Sequence, residues 1–135
     1  WVLMDLDTRN MILPGKSGIA LAGTLRGNEL TVPTGLPAKL LKNSRNRQVC
    51  FTDLDRNGHM NNCRYLDWIC DLIPSTYHTA HEIREFTVCY LSEAREGQQL
   101  ELRWDYPEER CLYMDAHRQD GSENTRVFSA RLLFD

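Results

Sequence analysis

The sequence predicts an α+β fold in which an antiparallel β-sheet wraps around one long central helix. Two observations carry that expectation. One apolar helix is predicted over residues 63–73, stopped by Pro74, and four strand-like runs separated by turn residues follow it. Hydrophobic residues make up 41% of the chain and charged residues 26%, and 135 residues are enough to bury a core.

Taken in order, residues 1–7 read as a short strand with a turn near Arg9 and Asn10. Residues 14–46 hold Pro14, Pro33, Pro37 and most of the glycines with poor periodicity, so they read as a connection with one short helix around residues 38–42. A connection that long is unusual inside one domain and argues for a linker between two. The organisation expected is therefore the end of a preceding domain at 1–13, a linker at 14–46 and a main domain at 47–135. A chain opening on Trp1 rather than Met is expected to be part of something longer.

Residues 48–52 read as a strand, and 53–62 as a polar, turn-rich stretch around Gly58. In the helix, Leu66, Ile69, Cys70 and Ile73 follow the spacing of one buried face. Tyr65, Trp68 and Leu72 widen that face, so burial on more than one side is expected. Residues 86–91 form a mostly apolar strand. Leu100, Leu102, Trp104 and Tyr106 alternate with polar residues, as do Leu112, Met114 and Ala116, the period of a half-buried strand. Phe128, Ala130, Leu132 and Phe134 share one face of the last strand.

Net charge is −3, which argues against general nucleic-acid binding. No apolar run approaches the roughly 20 residues of a membrane span, and no secretory signal opens the chain. Lys39, Lys42, Arg45 and Arg47 form a run free of acidic residues. It reads either as a solvated linker or as a docking surface for an acidic partner. Cys50, Cys63, Cys70, Cys89 and Cys111 show no metal-like spacing and fit free thiols in a reducing, cytoplasmic setting. His78 and His81 read as surface histidines rather than metal ligands. His117 reads as an exposed neighbour of Asp115, and Trp68 and Trp104 as core.

Chemistry concentrates at Asp53-Leu54-Asp55-Arg56-Asn57-Gly58-His59-Met60-Asn61-Asn62, with two carboxylates, three carboxamides and a histidine just before the helix. Turn-forming and capping residues give one explanation, with Asn61 or Asn62 as the helix cap. A reactive site gives the other. A helix N-terminus can polarise a carbonyl becoming an oxyanion, and histidine suits proton transfer near neutrality.

This run, followed by Arg64-Tyr65-Leu66-Asp67-Trp68-Ile69, resembles the signature of acyl-ACP thioesterases, D-x-D-x-N-x-H-x-N-N then Y and W-I on the helix. Val88-Cys89-Tyr90-Leu91-Ser92-Glu93, continued to Gly97, resembles the family's Y-x-x-E block, and residues 1–9 resemble the last strand of its first domain. The family is a tandem of two hotdog domains, so the resemblance implies a hotdog fold here, with residues 1–13 ending a preceding one. It implies hydrolysis of fatty acyl-ACP to fatty acid and acyl carrier protein, with no metal or organic cofactor. Asp55, Asn57, His59 and Glu93 match catalytic positions. Glu93 or His59 would activate water, Asn57 would position water or carbonyl, Asp55 would hold Asn57, and N–H groups at the helix start, near Asn61 and Asn62, would meet the oxyanion. The basic run Lys39–Arg47 would then face the carrier protein. Plant members carry Cys directly after the catalytic Glu; here that position is Ala94, which excludes a thiolate there and favours direct attack by water. An acyl-CoA thioesterase of the same fold and a non-catalytic binding module remain the alternatives. A lone hotdog domain is expected to self-associate or pair with a second one.

Overall fold

The computed structural model describes residues 3–8, 10–13, 16–18, 27 and 34–135, which fall into two units, Trp1–Val32 and Pro33–Asp135. In the first, β1 (Leu3–Met4) pairs antiparallel with β2 (Met11–Ile12). The strand expected over residues 1–7 is cut short because Asp5 turns the chain. Its carboxylate accepts from the backbone N–H groups of Thr8 at 2.7 Å and Asp7 at 3.1 Å. Trp1, Val2 and Arg9 lie outside the described residues, as do 14–15, 19–26 and 28–33 of the expected connection.

The second unit holds a five-stranded antiparallel sheet in the order β3 (Asn43–Gln48), β5 (Gln99–Glu108), β6 (Cys111–Asp120), β7 (Glu123–Phe134), β4 (Ile83–Tyr90). Registers pair Leu102 with Ala116, Trp104 with Met114, Met114 with Ala130 and Ala130 with Val88. Residues paired across strands share a face, so the alternating apolar positions read from the sequence form one continuous inner surface. Leu100, Leu102, Leu112, Met114, Ala116, Phe128, Ala130 and Leu132 are fully buried on it.

Helix α1 (Asn62–Cys70) covers that surface, and helix α2 (Ser75–Ala80), which the sequence reading did not foresee, follows Pro74. Tyr65, Trp68, Ile69 and Ile73 are buried, whereas Leu66 is 37% exposed. The buried face is thus turned one residue from the expected one and is a single face rather than several. Tyr65 sets it, its ring meeting Phe128 edge-on at 4.6 Å and Tyr90 at 5.5 Å. The helix also ends at Cys70 rather than Ile73. The N–H groups of Leu72 and Ile73 bond to the carbonyls three residues back, those of Ile69 and Cys70, and Pro74 disfavours helical geometry at Ile73.

The largest difference concerns β3. The strand expected at 48–52 lies at 43–48, Phe51–Asp53 form a 3-10 turn, and residues 38–42 are not helical. The expected boundary at residue 47 therefore falls inside a strand. β3 lacks an apolar alternation because its inward positions, opposite Leu102 and Leu100, are Arg45 and Arg47. The Arg47 guanidinium lies 4.4 Å from the Trp68 ring centroid, so a cation and its apolar stem do the covering. Residues 36–39 instead run along the outer face. Arg126 donates to the carbonyls of Leu36 (3.1 Å) and Pro37 (3.3 Å), Tyr113 also donates to Pro37, and Lys39 stands over the Tyr113 ring.

Among the described residues no helix is long and apolar enough to cross a membrane.

Candidate active site

The polar run before α1 is built as a cross-linked loop. Asp53, 8% exposed, accepts from the Cys50 N–H at 2.9 Å and from the Trp68 indole at 3.2 Å, anchoring the loop to the helix it precedes. Asp55 and His59 close a tight turn, the Asp55 N–H donating to the His59 carbonyl at 2.8 Å. Within it the Asp55 carboxylate accepts from the N–H groups of Asn57 (2.8 Å) and His59 (3.1 Å). Gly58 takes φ +74° there, a conformation that disfavours any side chain with a Cβ.

A second strip of backbone docks on this turn. His59 pairs with Arg95 as an isolated bridge, and the Met60 N–H donates to the carbonyl of buried Ala94 at 2.8 Å. Alternation about Ala94 sends Glu93 and Arg95 to the same side. His59 Nε2 stands 3.2 Å from Glu93 Oε2, while Arg95 Nη2 is 3.2 Å from that same nitrogen and 3.8 Å from the same oxygen. Arg118, reaching from β6, donates to the Glu93 carbonyl at 2.5 Å and to Gln98 at 3.3 Å. Gln98 in turn accepts from the Arg95 N–H at 2.8 Å.

The cleft beside this pair measures about 300 Å³ and is lined by Asp55, His59, Met60, Asn62, Tyr65 and Tyr90 together with residues 91–93. Tyr90 hydroxyl donates to the Asn62 carbonyl at 3.2 Å. Burial, aided by neighbouring Tyr90, pushes the Tyr65 phenol up to about 12, so it stays protonated at neutral pH. Glu93 is largely solvent-exposed and His59 half-buried, so water reaches both.

The structure therefore brings Asp55, His59 and Glu93 together, with Asn62 on the cleft wall. Asn57 is exposed and does not line the cleft; what Asp55 holds is its backbone N–H rather than its carboxamide. Asn61 is the helix cap, its side chain accepting from the Cys63 N–H at 2.9 Å and its carbonyl from the Arg64 N–H. The basic run is not one free patch. Lys42 lies 3.5 Å from Asp105, Arg47 lies 2.6 Å from Asp71, and Lys39 covers Tyr113. His117 is not an exposed bystander: it is only 16% exposed and sits 3.1 Å from the buried Asp115. Among the described residues no group of His, Cys, Asp and Glu is arranged to hold a metal.

Sequence reasoning passed over Arg95, Gln98 and Arg118. Arg95 could have been suspected from standing two residues beyond Glu93. Arg118 comes from a distant strand and gives no local signal.

Comparison with known proteins places this geometry among relatives. The model of the acyl-ACP thioesterase C-terminal domain matches residues 39–130. A chloroplastic dodecanoyl-[acyl-carrier-protein] hydrolase of Cinnamomum camphora is 42% identical over 43 residues, 32% of this chain and 11% of that protein. An acyl-ACP thioesterase structure from Bacteroides thetaiotaomicron is 25% identical with TM-score 0.68, covering 98% of this chain and 53% of its own. The 12:0-ACP thioesterase of Umbellularia californica shares the fold at TM-score 0.70 and 21% identity, over 98% of this chain and 52% of its own. The chain thus spans about half the length of these two solved structures, and its sheet and helix form the hotdog fold.

Proposed function

Because the chain belongs to the acyl-ACP thioesterase C-terminal domain family, we propose that it supplies the catalytic half of an enzyme hydrolysing fatty acyl-ACP to free fatty acid and acyl carrier protein. The observation that carries this reading is the 3.2 Å approach of His59 Nε2 to Glu93 Oε2, in a cleft at the start of α1. Positioned acid–base groups beside a helix N-terminus suit water attack on a thioester.

In this reading the water oxygen bonds to the thioester carbonyl carbon while Glu93 or His59 takes one of its protons. Negative charge gathers on the carbonyl oxygen, which faces the Asn62 end of α1. Collapse breaks the C–S bond, and the departing carrier thiolate takes the proton from the group that held it. Ala94 after Glu93 leaves no thiol there to form an acyl-enzyme. Asp55 fixes the turn bearing Asn57 and His59, and Asn57 joins the set through the motif it shares with the family. Asn61 acts through the helix it caps.

Further parts of the proposal concern the surroundings. Residues 1–13 supply the last strand of a preceding hotdog domain, and the catalytic domain pairs with such a domain or with a second copy. The compartment is a reducing one; all five cysteines are free thiols, and the Cinnamomum relative is chloroplastic. The acidic carrier protein meets the basic run.

The test is His59→Ala against a panel of acyl-ACPs, with the parent also assayed on acyl-CoA. A loss of at least about tenfold is expected, since positioned acid–base groups typically supply 10²–10⁴. An unchanged rate removes the site. A parent that prefers acyl-CoA moves the substrate to CoA thioesters, and acyl binding without turnover leaves a binding module.

A further inference from the structure

We infer that Arg95 is a positioning residue that sets the tautomer of His59. The inference rests on the hydrolase reading of the cleft and adds a residue to it. His59 Nε2 has two neighbours at the same distance, Glu93 Oε2 and Arg95 Nη2, each 3.2 Å away. Their demands conflict. An ionised carboxylate only accepts hydrogen bonds, so it asks for a proton on Nε2. A guanidinium only donates, so it asks for the bare lone pair. One nitrogen cannot meet both.

Arg95 is the neighbour whose backbone the fold ties directly to that of His59, whereas Glu93 is tied through its carbonyl to Arg118. The Arg95 N–H is also fixed by Gln98, which is itself held by Arg118. Of the polar groups around the imidazole, Asp55 is occupied by the backbone N–H groups of Asn57 and His59, and Tyr90 by the Asn62 carbonyl. Tyr65 stays a neutral phenol, which leaves Glu93 and Arg95 to decide the matter. With Arg95 donating to Nε2, the neutral ring carries its proton on Nδ1. Glu93 then keeps both oxygens free of the imidazole, and the carboxylate is the group that takes the proton of water. Without Arg95 the ring turns donor toward Glu93. A carboxylate oxygen already accepting that bond is a poorer proton acceptor, and turnover falls although the substrate still binds.

The experiment reads the tautomer directly. The protein is labelled with ¹⁵N in its histidines, and the His59 ring nitrogens are observed at a pH where the ring is neutral, in the parent, Arg95→Ala and Arg95→Lys. The expected result is a proton on Nδ1 in the parent and on Nε2 in Arg95→Ala. The latter should lose at least about tenfold in kcat with KM little changed, because a wrong tautomer disables a proton-transfer pair. Arg95→Lys restores a donor and recovers most of kcat. A proton on Nε2 in the parent overturns the inference, and so does an unchanged kcat in Arg95→Ala. Failure of the hydrolase reading is distinct: full activity in Glu93→Gln and His59→Ala would remove the site, while the tautomer measurement needs no turnover.

Discussion

Asp53 shows how a single side chain can hold a reactive loop without entering it. Its two oxygens are divided between the Trp68 indole in the core and the Cys50 N–H at the start of the 3-10 turn, while its carbonyl accepts from the Asn61 N–H at 2.8 Å. Asp53→Ala leaves the buried Trp68 indole N–H without an acceptor, worth about 1–3 kcal/mol, and frees the part-buried Cys50 N–H. Urea unfolding should therefore show a loss of roughly 1–4 kcal/mol, with Asp53→Asn losing less because its amide oxygen still accepts. A loss below about 1 kcal/mol would mean that the loop does not depend on this anchor. Asp53 and Asp55 look alike in the sequence, and nothing local tells the anchor from the residue on the cleft wall. The distinction comes from Trp68, fifteen residues along the chain.

At the scale of elements, the sheet was legible wherever burial enforces a period of two. Of the four strands after the helix, three were read from alternations that follow the observed inner face and the first from a mostly apolar run at 86–91, with ends displaced by a few residues. β3 was not legible for a physical reason. As an edge strand whose inward positions are Arg45 and Arg47, it hides its apolar coverage in the stem of Arg47, laid on Trp68. α2 was missed because its six residues bury no side chain fully and so carry no amphipathic stripe. The polar loop was legible as a cluster, but Glu93, far along the chain, was joined to it only through resemblance to a family. The same edge strand bears on carrier docking. Lys42 and Arg47 have acidic partners within the domain and Lys39 stands over the Tyr113 ring, so the charge left to face a carrier is chiefly Arg45. Arg45→Glu should raise KM for acyl-ACP several-fold at low salt and leave acyl-CoA hydrolysis nearly unchanged, because exposed charges steer association and are screened by salt. Equal losses on both substrates would remove the docking surface.

For the molecule as a whole, the question is what covers the surfaces that the sheet and helix leave open. α1 buries one face and leaves Leu66 37% exposed. At the cleft Tyr90 is 46% exposed and Leu91 52%, and β4, which carries Tyr90, is an edge of the sheet among the described residues. An apolar rim beside a free strand edge is the pattern of a surface that pairs, since an exposed edge templates a further strand and clustered apolar area favours burial. A strand added at β4 would extend the wall that Tyr90 and Leu91 give the cleft, which would deepen the short hollow into one able to shelter an acyl chain. The expected outcome is association in sedimentation velocity at micromolar concentration, weakened by Leu66→Asp together with Leu91→Asp. A sharp monomer for the parent would contradict it. Should the double variant dissociate but keep its rate on short acyl chains while losing it on long ones, the pairing surface and the chain-binding surface would be one and the same.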